Sequence, residues 1–87
     1  FYKASNKGDH NAQLVLGTQY LHGLGVKQNI KKAYFWLYLA SLSDNTKVAK
    51  QAQIFKIKAS KALNINDKKI IDKKAINWKP VLSKFIK

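Results

Sequence analysis

At 87 residues the chain has room for one small domain, and its net charge of +13 will draw anionic partners. It has no Cys, which excludes a disulfide framework and a thiolate metal site; a single Pro and four Gly favour helices over a many-turned β fold. All of the basic residues are Lys and all of the acidic ones are Asp (Asp9, Asp44, Asp67, Asp72). Without Arg there is no guanidinium fork for bases or phosphates, so the composition reads more as the drift of an AT-rich genome than as a nucleic-acid function.

In chain order, the pattern predicts a helical tail over Phe1 to Lys7 that ends at Gly8, a left-handed cap. Asp9 then caps a helix from His10 to His22, in which Ala12, Leu16 and Tyr20 recur on one apolar face beside Gly17 and Leu21. The run Gly23-Leu24-Gly25-Val26-Lys27-Gln28-Asn29 reverses the chain, with Val26 tucked under the turn and Asn29 as the next cap. The helix Ile30 to Leu42 places Ala33, Trp36, Leu37 and Ala40 at core spacing and carries Tyr34, Phe35, Tyr38 and Leu39 on its other sides. A helix apolar nearly all round must be covered on more than one side. Its longest apolar run, Ala33 to Leu42, is far short of the roughly 20 residues that span a bilayer.

Ser43 to Thr46 supplies capping chemistry for a third helix, Lys47 to Leu63. Val48, Ala52, Phe55, Ala59 and Ala62 form its buried stripe; Lys47, Lys50, Lys58 and Lys61 form a basic stripe opposite. Asn66 caps a fourth helix, Asp67 to Lys79, with Ile71, Ala75 and Trp78 inward. Pro80 stops it, and Val81, Leu82, Phe85 and Ile86 dock in a final turn.

A shift of 36 residues places Ala4 on Ala40 and Ser5 on Ser41, a period suited to stacked helix pairs. The run Ala12, Leu16-Gly17, Tyr20, Gly23-x-Gly25-Val26, Asn29, Lys32-Ala33, Trp36 and Ala40-Ser41 resembles a Sel1-like repeat, a relative of the tetratricopeptide repeat. Asn29, Ser41 and Asp44 stand where the family pattern has Asp, Ala and Gly. The resemblance implies an all-α solenoid of antiparallel helix pairs stacked as an α/α superhelix. Residues 1–9 would end a preceding repeat, 10–45 form one full repeat, and 46–87 a degenerate closing helix pair and tail. Such arrays need about three repeats for stability, and one full and two partial ones stand here, so we expect further repeats before Phe1 or a partner that completes the fold. The start at Phe1 rather than Met leaves the compartment, bacterial cytoplasm or periplasm, open.

Chemistry finds little footing. His10 and His22 lie at opposite ends of one helix, too far apart to share a metal, and no Glu accompanies them. No nucleophile, base and orienting group fall at a recognisable spacing, and Gly23-Leu24-Gly25 follows a helix rather than opening one as a phosphate loop does. No catalytic, cofactor or metal site is expected. The aromatic residues Tyr34, Phe35, Trp36 and Tyr38, interleaved with Lys27, Lys31 and Lys32, suggest base stacking, but at helical spacing they read as core, Tyr38 being the most exposed of them. The resemblance implies a protein-interaction scaffold or adaptor, of the kind that serves as an assembly or immunity partner of another bacterial protein. The first helix of each pair would line the concave face, which selects Val15, Thr18, Gln19 and His22 as contact residues; Tyr38, the partly exposed aromatic, is a further contact residue. The lysine stripe Lys47, Lys50, Lys58 and Lys61 would dock an acidic protein. The competing reading is a Lys-driven binder of nucleic acid or an anionic surface.

Overall fold

A computed structural model describes residues 9–78, and the expected leading tail and final turn lie outside them. Four helices follow one another: α1 (His10–His22), α2 (Ile30–Ala40), α3 (Thr46–Lys61) and α4 (Ile65–Asn77), with no strand among the described residues. The chain is all-α, as its composition predicts.

Each helix starts on a side-chain cap. Asp9 accepts from the Ala12 N–H at 3.1 Å and Asn29 from that of Lys32 at 3.0 Å. Asn45 accepts from the N–H groups of Lys47 and Val48. The cap of α4 is Asn64, not Asn66: its Oδ1 accepts from the Asp67 N–H at 2.8 Å while its Nδ2 donates to Asp67 Oδ2 at 3.1 Å. Asp67 sits three residues beyond Asn64, where both bonds close; Asn66 has it as an immediate neighbour. The α4 start therefore falls two residues earlier than expected.

α2 is the hub. It lies against α1, α3 and α4, while α1 also touches α3. Ala33, Tyr34, Leu37 and Ala40 are 0 % exposed, and Trp36 and Leu39 are buried with them. Tyr34 thus belongs to the centre of the core and not to an outer side of the helix. Each large side chain buried here contributes about 1.5–3 kcal/mol. Three walls around one helix explain why its sequence is apolar on every side.

Close approach of α1 to α2 depends on Gly17. A Cβ there would stand 2.7 Å from Leu37 Cγ and 3.2 Å from the Leu37 backbone nitrogen. The turn that follows uses Gly23 at φ 68°, whose left-handed conformation ends α1. Two further bonds close it: the Asn29 N–H donates to the Tyr20 carbonyl at 2.9 Å, and Gln28 Nε2 to the Leu21 carbonyl at 2.8 Å. Val26 does not tuck beneath this turn; it is exposed. α2 ends at Ala40, leaving Leu42 exposed, and Ala62 is the exposed residue that ends α3.

α4 leaves α3 at the short connection 62–64 and settles on α2. Ile71 joins Tyr34, Leu37 and Ala59 in one buried cluster, and Ala75 joins Trp36 and Leu39 in another, against which Trp78 packs. The Trp36 and Trp78 rings meet edge to face, centroids 6.1 Å apart.

Candidate functional site

Two concave features flank this core. The first is a groove of about 390 Å³ between α1 and α3, a size within the range of ligand pockets. Val15, Thr18 and Gln19 supply the α1 wall with Leu14, and Leu24 closes one side from the turn. Gln51 and Phe55 supply the α3 wall. Val15, Thr18 and Gln19 come together because residues three and four apart share a helix face.

The groove's chemistry is apolar with two amides. Thr18 Oγ1 donates to the Leu14 carbonyl at 2.7 Å, so its hydroxyl turns back onto the helix. The Gln19 and Gln51 side chains have no hydrogen-bond partner among the described residues. They stand on opposite walls and retain donors and acceptors for a guest. His22 stands beside Phe55, ring edge to ring face with centroids 5.9 Å apart. Lys58 Nζ lies 5.4 Å from the Phe55 ring centroid, bringing one cation to the α3 wall.

The expected contact residues therefore separate into groups. Val15, Thr18 and Gln19 line the groove; His22 and Lys58 adjoin it through Phe55. Lys47, Lys50 and Lys61 are exposed on α3 without lining it. Their stripe is not purely basic: helical spacing puts Ile54 and Ile57 on the same face, and these are 52 % and 48 % exposed. Tyr38 lies elsewhere. It is half-buried against Tyr34, with Lys56 Nζ 4.2 Å from its ring centroid. Phe55 and Gln51 were not among the expected contacts. Phe55 reads as core by its spacing, and only the adjacency of α1 and α3 reveals its exposed side.

A second polar cluster lies under α4. The Tyr34 hydroxyl donates to Asp72 Oδ1 at 2.6 Å, and Lys68 Nζ reaches Asp72 Oδ2 at 3.3 Å. Burial, then the bond to Asp72 and its negative charge, raise the Tyr34 pKa well above its ordinary value. Burial lowers that of Lys56, Asp72 partly offsets this, and Lys68 adds to the lowering. Tyr34 is sealed in the core, so this cluster ties α4 to α2 rather than facing a substrate.

The second concave feature, about 300 Å³, lies between α2 and α4, where Lys31, Lys32 and Lys74 surround Phe35 and Ile71. No group of three or more His or Asp residues able to hold a metal occurs among the described residues. No helix among them is long and apolar enough to cross a membrane. Comparison with protein-family models, with curated proteins and with solved structures finds no match to this chain.

Proposed function

We propose that this chain is a non-catalytic interaction module that holds a segment of another protein in the groove between α1 and α3. The observation that carries the reading is the pair of unpartnered glutamine amides, Gln19 and Gln51, on opposite walls of an otherwise apolar trough. Such amides suit the backbone of an extended peptide, while Val15, Leu24 and Phe55 take its apolar side chains. Lys58 and the excess of positive charge favour a guest with acidic residues and speed its encounter.

We further propose that α1 and α2 form a Sel1-like repeat unit within an α/α superhelix. In support, the residues that carry the resemblance serve structural ends. Gly17 admits Leu37, Gly23 ends α1, Asn29 caps α2, and Ala33, Trp36 and Ala40 are buried. On this reading the partner is one that a bacterial assembly or immunity protein would hold.

The test is a photo-crosslinking residue at Val15 or Gln51, compared with one at the exposed Ile76. The groove positions are expected to give the same discrete protein adduct, resistant to nuclease and high salt, and Ile76 none. Adducts of equal yield from all three positions would sink the groove as the binding site.

The competing reading, a Lys-driven binder of nucleic acid or an anionic surface, rests on Lys47, Lys50, Lys58 and Lys61, which make no ion pair among the described residues. It expects capture that disappears steeply with salt, because each neutralised phosphate releases counterions.

A further inference from the structure

The cleft between α2 and α4 shares no residue with the groove between α1 and α3. Lys31, Lys32 and Phe35 come from the first two turns of α2, Ile71 and Lys74 from α4. Ile71 is part of the core, so the floor is anchored. Lys31 faces Asp67 at 3.6 Å, but its side chain is 63 % exposed and the pair is weak. Lys32 and Lys74 form no ion pair among the described residues. Lys32 Nζ stands 5.4 Å from the Tyr20 ring centroid.

The chemistry of the rim narrows the guest. Three lysines line the cleft and one carboxylate, Asp67, pairs with one of them, which leaves an excess of positive charge around an apolar floor. Ammonium groups act as point charges, and several of them suit a phosphate, whose oxygens point in different directions. Phe35 and Ile71 call for an apolar body on the same molecule, and the Phe35 ring favours a flat one. A volume of about 300 Å³ holds a small molecule, not a polymer.

We propose that this cleft binds a soluble phosphate monoester with a flat aromatic body, its phosphate held by Lys31, Lys32 and Lys74 and its ring laid over Phe35 and Ile71. The proposal does not depend on the groove. A phosphate ester that binds here leaves the groove open, and failure here leaves the peptide reading untouched.

The experiment is calorimetric titration of the full chain with 2-naphthyl phosphate, 2-naphthol and inorganic phosphate. The ester is expected to bind once per chain, at least about tenfold more tightly than either fragment, because each fragment satisfies only half of the cleft. The double variant Lys31→Gln/Lys74→Gln should weaken it by at least about tenfold. Lys47→Gln/Lys50→Gln, of the same net charge and on α3, which lends the cleft no lining residue, should leave affinity within about twofold. These are surface substitutions, and circular dichroism confirms that both variants fold. Equal loss in the two double variants would reduce the effect to bulk charge and overturn the proposal. So would naphthol or inorganic phosphate binding as tightly as the ester, or no binding of the ester at all.

Discussion

α1 and α2 lie together along a broad interface, whereas α3 and α4, joined by a shorter connection, barely touch. Closeness in sequence does not decide which helices pack; complementary surfaces do. α1 presents Gly17 where Leu37 must approach, and the turn is fastened by the Asn29 and Gln28 bonds. α4 exposes Ile65, Ile70 and Ile76, and its buried face, Ile71 and Ala75, settles mainly on α2, with Ala59 the α3 residue in the Ile71 cluster. Its polar fastenings to α2 are the Tyr34–Asp72 bond and the weaker Lys31–Asp67 pair, each between residues far apart in the chain. The first pair is a local structure; α4 depends on a wall that the first pair provides.

The sharpest way to break this contrast is Gly17→Ala. Better helix propensity offers about 1 kcal/mol in its favour. Overpacking costs about 1–3 kcal/mol, and here the new Cβ meets a fully buried Leu37 and its backbone nitrogen. The variant should therefore lose stability in a urea melt, with α1 and α2 both affected. A stabilised variant would mean that the two helices can separate freely.

Tyr34→Phe should cost about 1–2 kcal/mol, since it deletes a bond to a charged acceptor and leaves Lys68 as the hydrogen-bond partner of Asp72 among the described residues. Hydrogen exchange should quicken in α4 while α1 keeps its protection. The alkaline limb follows from the burial of Tyr34 and, after it, from the same bond. Folded Tyr34 keeps its proton to higher pH than the unfolded chain does, so stability falls as pH rises above about 10. Lys56 has the opposite sign. Its pKa is lowered in the fold, so the unfolded state binds more protons below 10.5 and stability gains as pH climbs toward that value. Tyr34→Phe should remove the first trend and spare the second, which a pH series of melts will separate.

The smallest effect concerns the start of α4. Asn64→Ala should cost about 1 kcal/mol and Asn66→Ala less than about 0.5 kcal/mol. The reverse order would move the cap back to Asn66.

Local rules recover the helices well because caps and periodicity are local. Asp9, Asn29 and the apolar spacing of Ala33, Trp36, Leu37 and Ala40 act within one or two turns. Where two candidates stand two residues apart, as Asn64 and Asn66 do, the choice turns on a reciprocal bond with Asp67 that composition alone does not rank. Tyr34 shows a different limit: a helix apolar on all sides offers no phase from which to read its most buried residue. The α1 wall of the groove follows from helical spacing, but Gln51 and Phe55 enter only when α3 is laid beside α1. The α2–α4 cleft needs residues from two distant segments and has no signature in either.

The hub position of α2 also bears on how the chain is made. Ribosomes add about 5–20 residues per second, so α2 is complete for seconds before the helices that cover its remaining sides exist. During that interval α3 and α4 cannot cover it, and the sides of Tyr34, Trp36 and Leu39 that will meet them stand bare on the nascent chain. That segment is where a chaperone would find purchase, and where slowed translation would carry the greatest risk of aggregation.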